Sequence, residues 1–394
     1  MRFYLIFIIS ILILPLANGQ DPQKNDSVKI DLLLKRIDAL EDVILKQQKE
    51  DELKKLLDEA DQLSNRSKKS EVDISKKFTS GIRQQQGLNP NISVLGDFFG
   101  AVSSVDDLAT TEPGDRTHGS NGLYMRSLEL SFVAPLDPYA RGKAFMDITE
   151  DGVSIEELYL ELINLPLNMS VKGGVFFPEF GLLNRHHTHA LPQFDRPRAS
   201  VNYFGLDGFN GMGVSVNFLL PTLLFSDASS LDIATVNIFD NYSYYSDKSV
   251  NLAYVGHFKN YYDISDASYF EYTLSAMAGH SDLTDDNNTY TGSFGLHYKW
   301  EPPQTAKYKS LDIKTELLYG YTETATGIVR SKGFYSLFHR KLNTRLWIGG
   351  RLGYSEIPVD NTQYEWDYTF NVDFWQSEFV FYRIQYQYND RYIN

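Results

Sequence analysis

Three histidines fall within four positions of the stretch GLLNRHHTHALPQFDRPR, residues 181–198. His186, His187 and His189 are preceded by Arg185 and followed by Asp195, Arg196 and Arg198. Neutral imidazoles ligate zinc-like ions, and in an extended segment residues 187 and 189 project to the same side. With a carboxylate such as Asp195, His187 and His189 could therefore hold a metal. The same imidazoles and guanidiniums lining a narrow passage would make a positive ring that favours anions or titrates near neutrality. A third reading is plain loop polarity, solvated or packed on a neighbouring wall. Catalysis ranks last: no Gly-x-Ser-x-Gly elbow occurs, so no catalytic residue is assigned and no enzyme is expected. The choice depends on where the stretch sits, and therefore on the elements around it.

Composition narrows those elements. The 394-residue chain has no cysteine, which excludes a disulfide framework, a thiolate zinc site and a lipid anchor on cysteine. Its net charge of −14 argues against a nucleic-acid partner. With 26 Tyr and 25 Phe it is rich in aromatics, a composition that suits exported all-β proteins. The opening MRFYLIFIISILILPLANGQ reads as a leader over residues 1–19. Arg2 gives a positive start, residues 4–16 are apolar, and Ala17-Asn18-Gly19 is a small-x-small cleavage site. The apolar run is shorter than the ~20 residues that a spanning helix needs.

Residues 28–63 have helical periodicity. Ile30, Leu33, Ile37, Leu40 and Ile44 follow a 3-4-3-4 spacing, the seam of a short coiled coil suited to oligomerisation. Residues 64–88 are polar and read as a linker. From residue 89 to 394 the period changes to two. In SLDIKTELLYGY, Leu311, Ile313, Leu317 and Tyr319 oppose Asp312, Lys314 and Glu316; in FVFYRIQYQYN, Tyr382, Ile384, Tyr386 and Tyr388 oppose Arg383, Gln385 and Gln387. The segments run about 9–12 residues, the length of a tilted membrane-crossing strand. Lipid-facing backbone must be fully paired, so many such strands require a closed ring. The expectation is all-β: a transmembrane antiparallel β-barrel of about sixteen strands, apolar face outward and water inside. Roughly fifteen strands can be placed, and barrels of one bacterial chain have even numbers, so the last strand is read as missing. The inward face then carries both signs of charge, including Glu129, Arg141, Lys143, Glu161, Lys314, Arg345, Arg351 and Arg383.

The strand count, the leader and the coiled-coil start resemble the family of phosphate-selective porins and their relatives. NPNISVLGDFFGAVSS is similar to the opening strand of those proteins. GGVFFPEFGLLNRHHTHALPQFDRP is similar to the segment after their fifth strand. The resemblance implies a homotrimer whose third external loop folds into the pore. Phosphate-selective members line the pore with arginine and lysine ladders, and this chain has no such run.

The histidine stretch then lies in the third external loop, residues 178–211, between the fifth and sixth strands. Arg185, His186, His187, His189, Asp195, Arg196 and Arg198 become candidates for the constriction. The expected function is passive diffusion of small hydrophilic solutes or ions across the outer membrane of a Gram-negative-type cell. The helix would lie in the periplasm, and outer-membrane lipids, like copies of the chain, would be partners. No cofactor is required. The alternative is an outer-membrane metal-binding or zinc-acquisition protein that uses His187 and His189.

Overall fold

A computed structural model of the chain describes residues 4–9, 91–104, 121–149, 152–238, 243–244, 252–281 and 287–392. The predicted coiled coil and linker lie outside the described residues. The architecture is one antiparallel sheet. Its strands are β1 (Tyr4–Ile9), β2 (Asn91–Ser103), β3 (Gly122–Asp137), β4 (Ala140–Thr149), β5 (Gly152–Leu165) and β6 (Met169–Phe176). There follow β7 (Gly211–Leu220), β8 (Ala228–Ile238), β9 (Ala253–Ser265), β10 (Ser268–His280), β11 (Asn288–Trp300) and β12 (Ser310–Thr324). The last four are β13 (Gly327–Lys341), β14 (Leu346–Ile357), β15 (Asp360–Trp375) and β16 (Phe381–Tyr392).

From β2 to β16 each strand bonds to the next in sequence, as up-and-down connections dictate. These fifteen strands leave two edges, because β2 and β16 do not pair with each other. The backbone of β1 lies between them, antiparallel to both, with Phe7 opposite Gly100 on one side and Ile384 on the other. The strands from β2 to β16 are the fifteen that the sequence placed.

The polarity of the ring is inverted relative to a water-soluble sandwich. Val94, Leu160, Leu317 and Ile384 point outward and are 51%, 55%, 51% and 48% exposed. Their neighbours along the same strands, Asp97, Glu161, Glu316 and Arg383, point inward and are buried. Aromatic rings pave part of the outer surface: Tyr354 and Trp366 lie 5.0 Å apart, Tyr364 and Tyr392 5.4 Å. Apolar surface of this extent around the curved sheet is stable only against hydrocarbon, so this is a transmembrane β-barrel.

Inside, opposite charges stand in register across strands. Asp373 opposes Arg383, and their side chains bond at 2.8 Å; Arg141 opposes Glu161 at 2.7 Å. Such cross-strand pairs satisfy groups that the wall removes from bulk solvent. The connections differ at the two ends. At one end they are short, as at 138–139, 166–168 and 266–267; at the other lies the long connection 177–210 between β6 and β7.

Candidate functional site

Residues 177–210 do not stand outside the ring. They run inward and make hydrogen bonds to the inner face of the strands from β10 to β16. Gly181 N–H donates to Ser275 Oγ on β10 at 2.9 Å, and Leu182 N–H to Glu316 Oε2 on β12 at 3.0 Å. Tyr203 bonds Ser331 on β13 at 2.8 Å. Phe194 N–H donates to Gln385 Oε1 on β16 at 2.8 Å.

The segment keeps its shape by internal bonds. Asn184 ties its two ends, donating to the carbonyls of Pro178 and Phe209 at 2.9 and 3.1 Å and accepting from Phe209 N–H at 2.9 Å. A short helix, α1 (Arg198–Phe204), follows Pro197, whose fixed φ suits a helix entrance, and stops at Gly205, whose φ of 86° ends it. Phe180, Phe204 and Phe209 pack ring on ring at 5.0–5.8 Å. They join Val236, Ile238, Met277, Leu318, Tyr335 and Leu337 of the wall in one buried cluster. Each such side chain contributes about 1.5–3 kcal/mol when buried, so the barrel carries a small apolar core within its lumen.

The predicted charged residues of this segment have three different fates. Asp195 accepts from Arg351 Nη2 at 3.0 Å, Gln385 Nε2 at 2.9 Å and Gln387 Nε2 at 3.1 Å. Burial pushes its carboxyl up, but Arg351 overcomes this and holds it below the usual range. Arg198 is bonded to Glu365 at 2.7 Å, while buried Arg196 donates to the carbonyls of Leu183 and His186. These three are corrected from lining to fastening: their charges are spent on the wall or on the segment itself. Arg351 and Arg383 point inward, buried and paired, with Asp367 at 2.6 Å and Asp373 at 2.8 Å. Lys314 faces inward and pairs with Asp312 at 2.7 Å. Arg345 is also corrected, because it is exposed in the turn 342–345 before β14 and not on the wall.

Arg185, His186, His187 and His189 do face open space. They border a cavity of about 620 Å³ between the segment and β3–β9, together with Glu129, Arg141, Lys143, Glu161, Lys172 and Lys259. Arg185 pairs with Glu179 at 2.8 Å. Burial and the adjacent Arg185 push the His186 imidazole down to about 4, so it is neutral at pH 7.

His187 is the opposite case. Its Nδ1 lies 3.0 Å from Glu129 Oε2 and 2.8 Å from Glu156 Oε2, and its Nε2 lies 3.3 Å from Glu157 Oε2. Burial disfavours the charged ring, but the three carboxylates prevail and push it up to about 12. His189 Nδ1 is 3.2 Å from the same Glu129 oxygen; burial lowers this ring, with Glu129 opposing. The carboxylate beside the two histidines is thus Glu129 of β3 and not Asp195, which the fold places against β14 and β16. Sequence reasoning missed Glu129, Glu156 and Glu157 as partners of these rings. It placed Glu129 on the inner face, but nothing in its spacing links it to residue 187.

No protein-family model matches the chain. A curated protein of Aquifex aeolicus (strain VF5), described as uncharacterized, is 33% identical over 150 residues, covering 35% of this chain. The chain spans only 32% of that relative's length. Among solved structures, it is similar to the outer membrane channel DcaP of Acinetobacter baumannii, with TM-score 0.47 and 11% identity over 77% of this chain and 98% of that one. It is also similar to an anion-selective porin from Comamonas acidovorans, with TM-score 0.46 and 10% identity over 77% and 100% of the two chains.

Proposed function

We propose that the protein is a water-filled channel of the outer membrane, passive, and open to small hydrophilic solutes or ions. One observation carries this reading: a single ring of strands turns apolar side chains outward and encloses charged ones around a cavity. In this reading the segment 177–210 is the constriction, because it occupies the half of the lumen beside β10–β16 and leaves the cavity beside β3–β9. The β2 end of each hairpin starts from the periplasmic side, and the barrel assembles as a homotrimer. No reaction is assigned to it.

Small anions are the favoured cargo. Among the described residues, no carboxylate lies within ion-pair distance of Lys172 or Lys259, which border the cavity, while Arg141 and Arg185 are paired. Unpaired cations at a narrow place raise the local anion concentration. Planar-bilayer recording of the full chain, purified in detergent, tests the proposal. Discrete conductance steps are expected, with a reversal potential in a salt gradient on the anion side. An inserted barrel that never conducts would overturn the channel, and a cation-side potential would overturn the cargo.

A further inference from the structure

The contact of His187 and His189 with the wall is not explained by hydrogen bonding alone. The Nδ1 of His187 carries at most one proton, yet two carboxylate oxygens, of Glu129 and Glu156, lie within 3.0 Å of it. The same Glu129 oxygen also faces the Nδ1 of His189 at 3.2 Å. Across the wall, Glu129 stands directly opposite Asp147 in the β3–β4 register, a like-charge pair that costs stability by itself. Asp147 Oδ1 is buried and has no hydrogen-bond partner. The Arg126 guanidinium lies 3.3 Å from Asp97. Two imidazole nitrogens and several carboxylate oxygens therefore converge on a point short of positive charge.

We propose that Glu129, His187 and His189 form a site for a divalent transition-metal ion of the zinc type, which bolts the lumen segment to β3. The donor atoms of Glu129, His187 and His189 all lie within 4.8 Å of one another. A tetrahedral zinc ion with bonds of about 2.0–2.2 Å keeps its donors roughly 3.3–3.6 Å apart. The observed separations of 3.0–3.2 Å need to open by only a few tenths of an ångström. A doubly charged ion would relieve the Glu129–Asp147 repulsion and give both rings a common partner.

The surroundings are also those of a ligating histidine. His187 Nε2 faces Glu157 Oε2 at 3.3 Å, and Glu157 Oε1 is fixed by the Phe177 N–H at 3.1 Å. A carboxylate behind the ring sets the tautomer that frees Nδ1 for metal. The rings of Phe145 and Phe177, 4.8 and 5.6 Å from His187, wall the site on its apolar side. Two nitrogens with carboxylate oxygens select zinc, nickel or copper over magnesium and calcium.

The test uses the full chain in detergent, stripped with a chelator, and calorimetric titration with zinc chloride or magnesium chloride. Cobalt chloride serves as an optical probe of tetrahedral ligation. One zinc ion per chain is expected, with magnesium at least tenfold weaker and intense visible absorption from cobalt. His189→Ala and Glu129→Gln should each lose at least tenfold in zinc affinity, and Glu157→Gln about 10–100-fold. Asp195→Asn should leave zinc affinity unchanged. His189→Gln is the gentler substitute if His189→Ala fails to fold, and it should show the same loss. No saturable zinc binding, equal affinity for magnesium, or unchanged affinity in the Glu129 and His189 variants would overturn the site. The site is independent of conduction: a barrel that conducts without binding zinc loses only this inference, and one that binds zinc without conducting loses only the channel.

Discussion

Asp195 illustrates how far one residue's role depends on position. In sequence it is the carboxylate nearest the histidines; in the barrel it serves Arg351, which is shared with Asp367. Removing one member of a buried ion pair costs more than the pair contributes, because the other charge is stranded. Arg351→Met strands two carboxylates and should cost about 3–5 kcal/mol. Asp195→Asn keeps the shape and most hydrogen bonds and should cost about 1–2 kcal/mol. Urea unfolding in micelles gives both values, and a smaller loss for Arg351→Met than for Asp195→Asn would contradict this account. His187 and His189 do face one carboxylate, but through a 3-10 turn at Thr188–Ala190 and not the extended segment that the sequence reading assumed. Their partner was not legible, because Glu129 lies 58 positions away and is brought near only by the inward turn of the segment.

Among the elements, the strands were the legible part. Alternation places Ile313 and Leu317 outward and Lys314 and Glu316 inward, and the burial pattern of β12 follows it from Glu316 to Gly320. The limits of the long connection came within one residue, 178–211 expected against 177–210 observed. Its destination had a signal that was not used: Met277, Leu318 and Leu337 are apolar at inward positions, where the pattern otherwise reads polar. Those breaks mark where the segment lands. Gly181 marks it too, because its φ is 57° and a side chain there would run into the Glu316 carboxylate. Phe204→Ala removes an anchor of the landing, a change worth about 3–5 kcal/mol in a well-packed core. Strand pairing does not depend on Phe204, so the loss should loosen the segment and leave the ring folded. The expected result is higher and noisier single-channel conductance with an unchanged far-ultraviolet dichroism spectrum.

For the whole molecule, net charge and composition indicated an exported β protein, and strand length pointed to a ring in a membrane. Composition could not show which segment meets both edges of the fifteen-strand sheet. Pairing of β1 with β2 and β16 is a long-range event, and the apolar run at 4–16 fits a leader as well as a strand.

The fastening of the segment to one side also makes the working perimeter a crescent. In the proposed channel, ions would meet β3–β9 and not the inner surface of β14–β16, which lies behind Asp195 and α1. A map of current against substitution should therefore be lopsided. Lys172→Glu or Lys259→Glu should shift the reversal potential toward cations, while Lys314→Gln, an inward lysine outside the cavity lining, should leave it where it was.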